Sequence, residues 1–555
     1  MKKQIDFQLI AILGGGLLFN YLFWMEQLAI NLVLYSIFII ALLYLNKEIA
    51  WPKKMLLICF SHLFAAFLVV YNQSILTIIS YYISLVVFIG FVHAQLLRSI
   101  FTALLAGFVQ ILCAPFNLTQ RLIQIKIGNF SVKPMLKPIK YIILPIFVLL
   151  VFTIVYSIAN PVFSAYLDNF TTGIATVFTK IFTFFFADLS FARFMHVILG
   201  ILFTAGLVLA FKDNILEREE VSLNEKLIRN RKRKMYAGFS FDIKEIFAGS
   251  LMKRKMALKT ENIIGIISFL ALNLLLLFLN SIDIATLWLK LGDTETLIGI
   301  NYSAELHGGT NALIVSVFMA MLVILYFFSG NLNFFSKNKT IRILAYIWII
   351  QNAFLVASVF LRDFRYIDMH GLTYKRIGVI IFLMLCTIGL ITVYIKVAKQ
   401  KTLFYLCKVN GSIWYVLLLF FGLVNWDVFI VKYNIQNRNS ITLDIDHLLD
   451  MSDKTLPLLD ENRALLQTYL SKSNRYYEVA TDTSIDTTAV KPLIEDPVQS
   501  AIKAKQKQLQ RFNSDLNNRI NDFSHKWKET TWLSWNYRDW QTNDYLKNRA
   551  KSIKR

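Results

Sequence analysis

Up to about residue 432 the chain alternates long apolar runs with short polar connections rich in Lys and Arg. The runs approach the ~20 residues that carry a helix across a hydrocarbon core. None shows the period-two alternation of a barrel strand. They predict about eleven spans: Phe7–Trp24, Leu28–Leu45, Met55–Tyr71, Ile75–Val92, Ile139–Ala159, Phe191–Phe211, Ile263–Asn280, Ala312–Ser329, Ile341–Leu361, Ile377–Val397 and Ile413–Val431. From Tyr433 onward the pattern changes. Ile502, Leu509, Phe512, Leu516, Ile520, Phe523 and Trp527 recur at helical spacing among polar residues, the stripe of one long amphipathic helix. The fold class is therefore all-α. Residues 1–432 form a polytopic helical membrane bundle, and residues 433–555 form a mainly helical soluble domain.

Two segments depart from the plain apolar pattern. Within His93–Pro115, Gln95, Arg98, Ser99, Thr102, Ala106 and Gln110 recur opposite Leu97, Ile100, Leu104, Phe108 and Ile111. That pattern predicts an amphipathic helix in the membrane interface. In residues 160–190, Phe163, Leu167, Phe170, Ile174, Phe178, Phe182 and Phe185 step by three or four. Asn160-Pro161 ends the preceding span, and the amphipathic segment is expected on the outer leaflet or the bundle rim.

Composition changes the picture mainly through charge. Of 555 residues 56% are hydrophobic, and the formal net charge is +22. From Tyr433 on, about 19 Lys/Arg face about 16 Asp/Glu, so the excess lies in the membrane part. It concentrates at Lys2, Lys3, Lys47, Lys53, Lys54, the loop Arg121–Lys140, the loop 212–260 with its run Arg229–Lys234, and Lys337–Arg342. The positive-inside rule makes those connections cytoplasmic and needs no nucleic acid. The N-terminus is then cytoplasmic, and after an odd number of spans the C-terminal domain is extracytoplasmic, in a cell inner membrane. The four cysteines lie in or beside apolar segments and offer neither a disulfide framework nor zinc spacing. The N-terminus reads as an uncleaved first helix.

Three stretches carry a resemblance. Asn301–Ile314 reads NYSAELHGGTNALI; Tyr366-Ile367-Asp368 is followed by Gly371-Leu372-Thr373 and Arg376; Trp532-Leu533-Ser534-Trp535-Asn536 lies near the end. These stretches resemble a bacterial multi-pass membrane family of unknown function, the domain of unknown function 4153/4173 groups. His370 stands where the family pattern leads one to expect an aromatic. The resemblance implies a membrane topology and brings no activity with it.

Candidate chemistry gathers in Leu361–Arg376, read as a loop between two spans. Arg362, Asp363, Arg365, Asp368, His370 and Arg376 make it the one outer connection with net basic character. The arginines suit an anionic headgroup or peptide, with Asp368 orienting one of them. The bland alternative is a salt-bridge network that positions helix ends. His307, beside Gly308 and Gly309, suits a proton carrier or metal ligand. One histidine supplies no ligand set, and a turn entering the span near Ala312 explains it as well. Mid-span Asn273, Gln351, Asn352 and His62 fit interhelical hydrogen bonding. The tail cluster Asp444, Asp446, His447, Asp450 and Asp453 lacks the glycine and glutamate of a calcium loop. No catalytic triad, phosphate loop, metal site or cofactor motif stands out.

The sequence therefore predicts a non-enzymatic scaffold or sensor with an outward helical interaction domain. Its partners would be the bilayer, a protein bound by that domain, and anionic lipid at loop 212–260. The alternatives are a transporter or flippase lined by Asn273, Gln351 and Asn352, and a membrane-embedded transferase at the outer face.

Overall fold

The computed structural model describes residues 7–45, 49–123, 126–127, 130–131, 145, 149, 152–185, 190–210, 215–228, 258–289, 302–328, 330–441, 443–472 and 497–553. Its helices, in chain order, are α1 (Phe7–Phe23), α2 (Ile30–Leu45), α3 (Lys53–Asn72), α4 (Ile75–His93), α5 (Ile100–Leu112), α6 (Ala114–Ile123), α7 (Pro161–Phe185), α8 (Phe191–Val208), α9 (Ile215–Val221), α10 (Leu258–Asp283), α11 (Tyr302–Phe327), α12 (Lys339–His370), α13 (Tyr374–Ala398), α14 (Leu403–Gly422), α15 (Trp426–Gln436), α16 (Ile445–Leu449), α17 (Leu456–Glu461), α18 (Arg463–Lys472), α19 (Pro497–Glu529) and α20 (Tyr537–Ile553). A two-residue antiparallel hairpin pairs Lys126–Ile127 with Phe130–Ser131. The class is all-α and polytopic.

Among the described residues seven helices are long and apolar enough to cross a membrane: α3, α4, α8, α10 with its continuation to Trp288, α12, α13 and α14. The chain is membrane-embedded. α1 and α2 are apolar but shorter, as is Val315–Phe327 within α11. The expected span Ile139–Ala159 falls mostly outside the described residues; those described, Pro145, Leu149 and 152–159, are helical. The expected span Ile413–Val431 is broken. α14 stops at Gly422, and Asn425 restarts the chain by accepting the Val428 N–H at 3.2 Å, a side-chain N-cap for α15.

By packing, the chain divides into two units. Unit 1 comprises Met1–Leu223, Cys407–Gly422 and Thr531–Asn536; unit 2 comprises Asn224–Leu406, Leu423–Thr530 and Tyr537–Arg555. The sequence division at 432/433 follows polarity, whereas this one follows contacts, so the two cut the chain differently.

In unit 1, α1 and α8 run antiparallel, with Gly15 and Gly16 facing Thr204 and Ile201. Small residues let apolar helices approach closely where no hydrophobic force drives them together. His196 Nδ1 lies 3.2 Å from Asn20 Oδ1, and Tyr35 hydroxyl 2.9 Å from Thr204 Oγ1. At mid-helix His62 is fully buried. Its Nδ1 meets Ser84 Oγ at 2.9 Å, and its ring stacks on Phe88.

Residues 93–115, expected in the interface, pack differently. α5 runs antiparallel along α4, with the backbones of Gly90 and Ala103, and of Gly107 and Val86, in direct contact. Any side chain at Gly90 or Gly107 would collide with a carbonyl group. The polar positions turn inward: Ser99 is 1% and Gln110 3% exposed, while Phe101, Leu105 and Phe108 point out. The polar positions are satisfied by protein, and Leu97 and Ile100 of the opposite stripe are buried as well. Gln110 Nε2 donates to the carbonyl of Leu209, and Glu220 accepts from the N–H groups of Arg98 and Ser99. A 51° bend then leads into α6, and the bent pair together is long and apolar enough to cross. α7 presents Tyr166, Phe170 and Val177 as exposed side chains.

Unit 2 has two hydrophobic cores. One joins α10, α11, α12 and α13 around Phe269, Phe328, Trp348 and Leu390. α10 and α12 lie parallel with a polar seam in steps of seven. Asn273 Nδ2 donates to the Leu344 carbonyl at 3.1 Å, and Asn280 Nδ2 to the Gln351 carbonyl at 3.2 Å, both 71 residues apart. Gln351 Nε2 reaches Asn273 Oδ1 at 3.1 Å, and Trp288 Nε1 reaches Ser358 Oγ at 3.1 Å. A seven-residue step keeps one side of two near-parallel helices in register.

The second core of unit 2 continues from the helix ends into the C-terminal domain. Ile367, Leu372 and Ile377 pack with Ile430 and Ile435, then with Leu448, Leu456, Leu459, Leu466, Phe512, Leu516 and Phe523. From Leu509 to Trp527 the apolar stripe expected on the long C-terminal helix packs into this core as one face of α19; the side chain of Ile502 lies outside the described residues. The Thr- and Ser-containing stretch Asp482–Pro497, with its two prolines, reads as a loop in sequence; all of it but Pro497 lies outside the described residues.

Candidate functional site

Leu361–Arg376 is mostly helix rather than loop. α12 continues through Leu361 to His370, and only Gly371–Thr373 separate it from α13. The apolar positions Ile367 and Leu372 are buried under the C-terminal domain, so tertiary packing extends the helix beyond its apolar run. The stop is chemical. Gly371 takes φ +79°, which favours glycine, and a side chain there would meet Asn434. Asn434 closes the turn from α15: its Nδ2 donates to the Leu372 carbonyl at 2.9 Å, and its Oδ1 accepts the Leu372 N–H at 2.6 Å.

The charged residues divide among three surfaces. Arg362 pairs with Asp283 on α10, whose side chain is 1% exposed. Arg365 Nη2 donates at 2.6 Å to the carbonyl of Leu287, in the π-helical continuation Ile284–Trp288. Thus two arginines are committed to α10. Arg376 donates to the carbonyls of His370 and Gly371, capping the C-terminus of α12 where a cation is favoured by the helix dipole. Its guanidinium lies 4.4 Å over the Tyr366 ring, and that ring stacks on His370 at 4.4 Å.

Asp363 is 7% exposed, and its Oδ2 has no hydrogen-bond partner among the described residues. It feels the Arg376 charge. Asp368 is exposed on another side, and its charge, after burial, helps raise the Tyr433 phenol above its usual value. Nearby, Tyr374 donates its hydroxyl to Asp427 on α15.

The structure thus brings Asp363, His370 and Arg376 together, sends Arg362 and Arg365 to α10, and leaves Asp368 apart. His307, Gly308 and Gly309 lie within α11 rather than in a turn before Ala312. The side chain of His307 falls outside the described residues, so its relation to the cluster does too. Thr310 and Asn311, which would cap a span starting near Ala312, lie mid-helix as well. In the tail, Asp444 caps α16 by accepting the His447 N–H at 3.1 Å, and Asp453 pairs with Arg519 at 2.9 Å. Among the described residues no group of three or more His, Cys, Asp or Glu could hold a metal ion.

The arrangement is a clasp. Its guanidinium groups are taken up by a carboxylate, backbone carbonyls and an aromatic face. An anionic ligand would have to compete with those bonds. Sequence reasoning missed Asp283 and Asn434. Asp283 continues the polar series Asn273 and Asn280 along α10, a readable signal. Asn434 has no local signal, because its partner lies 62 residues away.

Comparison with known families yields one match. The family described as a domain of unknown function (DUF4153) matches residues 55–462, more than half of the 555-residue chain. Two of the three resembling stretches, Asn301–Ile314 and that around Gly371, fall inside this region; Trp532–Asn536 lies outside it. No curated protein and no solved structure matches the chain.

Proposed function

The chain belongs to the DUF4153 family, and from that premise we propose that it is a membrane-anchored, non-enzymatic scaffold or sensor. Its helical C-terminal module is a rigid presentation platform. The observation that carries this is the continuous core from Ile367, Leu372 and Ile377 through α15 to Leu456, Leu466, Phe512 and Phe523. A module that shares a core with span ends moves with them, unlike one on a loose linker. α19 has 33 residues, about 50 Å. Its side opposite Phe512 and Leu516 leaves Lys507, Arg511, Ser514, Asn518 and Asp522 exposed for a partner.

The positive-inside distribution supports a bacterial inner membrane with the N-terminus cytoplasmic and the module extracytoplasmic. Anionic lipid at the basic loop 212–260 belongs to the same proposal. The use of Asn273 and Gln351 in the α10–α12 seam weighs against the transporter alternative.

Photo-crosslinking of the full-length protein in its membrane tests the reading, with a photoreactive residue replacing Arg511, Ser514 or Asn518. A discrete adduct from these positions, absent from positions on the buried face, is expected. Reproducible lack of any adduct from all three would remove the scaffold reading.

A further inference from the structure

Two turns of unit 1 have unusual backbone. Among the described residues three non-glycine residues have positive φ, and two of them, Met25 at 60° and Gln73 at 43°, sit in the α1–α2 and α3–α4 turns. Such conformations persist where the surroundings hold them in place. Here part of the surroundings comes from the far end of the chain. Glu26 Oε2 accepts the Thr531 hydroxyl at 2.5 Å and also that of Ser534. The Gln27 N–H donates to Ser534 Oγ at 2.8 Å. Asn536 Nδ2 donates to Gln73 Oε1 at 2.8 Å, while Gln73 Nε2 reaches the Leu28 carbonyl at 3.2 Å and ties one turn to the other.

Burial agrees with the bonding. Leu533 joins the unit 1 core, Ser534 is 4% and Asn536 1% exposed, whereas Trp532 is 59% exposed. The α1–α2 turn has its own organiser as well. Asn31, fully buried, accepts the Ala29 and Leu32 N–H groups and donates to the Leu22 and Gln27 carbonyls.

We propose that these two turns form a peptide-binding surface, and that its ligand is the chain's own segment Thr531–Asn536, acting as a strap. The recognition chemistry is one apolar anchor at Leu533, a serine hydroxyl shared by a carboxylate and an amide, and a carboxamide read by a carboxamide. The strap follows α19 directly and runs directly into α20. A pull on either helix therefore reaches the α1–α2 and α3–α4 turns through Ser534 and Asn536. Its release withdraws one apolar side chain, Leu533, from the unit 1 core and breaks several polar bonds at the turns. The turns then relax from their left-handed conformation. The strap thus makes the two turns of unit 1 responsive to the segment that joins α19 to α20. It needs no external partner and stands apart from the scaffold reading.

Hydrogen–deuterium exchange on the full-length protein in membranes tests this. In the pair Ser534→Ala with Asn536→Ala, exchange at residues 24–29 and 72–74 should rise roughly tenfold or more. The interiors of α3, α4 and α19 should stay at wild-type rates. Unchanged turns would overturn the proposal. So would a rise spread through α1–α4, which would make the segment merely a piece of the core. Gln73→Cys with Asn536→Cys should form a disulfide within one molecule, with each single variant as control. A disulfide-linked dimer would instead assign the strap to a second copy and overturn the intramolecular assignment.

Discussion

Replacing Arg362 should cost more than replacing Asp283, although the two form one ion pair. Asp283 is 1% exposed, and its Oδ2 has no hydrogen-bond partner among the described residues. Its charge therefore depends on the one guanidinium facing it. Arg362 keeps 25% of its side chain exposed and can turn toward water. Arg362→Met strands a buried carboxylate. Breaking buried pairs costs about 3–5 kcal/mol, and the partial exposure of Arg362 places this one near about 3 kcal/mol. Asp283→Leu leaves an arginine with an escape route, for about 1 kcal/mol. The double variant replaces the pair by apolar groups, and should recover about 2 kcal/mol relative to Arg362→Met alone. The assay is the unfolding free energy of the full-length protein in mixed micelles, for all four corners of the cycle. If the single costs add to within about 0.5 kcal/mol in the double variant, the pair is not coupled. If Asp283→Leu proves the more damaging, the reasoning from burial is wrong.

Asn434→Ala removes both side-chain bonds to Leu372 and should destabilise by about 2 kcal/mol; faster exchange at Gly371–Thr373, with α19 unchanged, checks that the effect is local. Gln351→Leu and Asn273→Leu should each cost about 0.6–1.7 kcal/mol in the same unfolding assay. The double variant should cost less than their sum, because one hydrogen bond is shared. Gly107→Val should prevent α5 from packing on α4, seen as loss of folded full-length protein, whereas the same change at Gly14, which has open space around it, should be tolerated. Burial lowers the Lys454 pKa below 10.5 despite nearby Asp539 and Asp427. A base with a depressed folded pKa destabilises while it is charged, and that penalty vanishes as pH rises past its unfolded pKa. Lys454→Met should therefore raise the midpoint at pH 7 and lose that advantage near pH 11; a pH-independent effect would contradict this.

Much of the site's content was readable, but not its partners. The density of charge at Leu361–Arg376 is plain in the sequence, and so is Gly371 as a break. That the segment is helix to His370 was not legible, because the reason is the C-terminal domain packed over Ile367 and Leu372. Asp363, Tyr366 and His370 share a helix face by spacing alone. That Arg376 lies over Tyr366, and Arg362 on Asp283, depends on neighbouring helices. For residues 93–115 the polar positions were marked but not their partners: Ser99 and Gln110 are buried, and so are Leu97 and Ile100 of the opposite stripe. A polar stripe says that a face needs partners, not whether water or protein provides them.

By itself the sequence determined the class of this protein. Apolar runs near twenty residues must lie in a bilayer as helices, since every backbone group has to be satisfied within the segment. It also determined the amphipathic face of α19 and the family. The tertiary structure decided what long-range contacts decide. These are the antiparallel seat of α5 on α4, the seven-step seam between α10 and α12, and the single core joining span ends to the C-terminal module. They also include the return of Ser534 and Asn536 to turns more than 450 residues earlier. Local spacing sets which face a residue occupies. Only the packing of distant segments sets what that face meets.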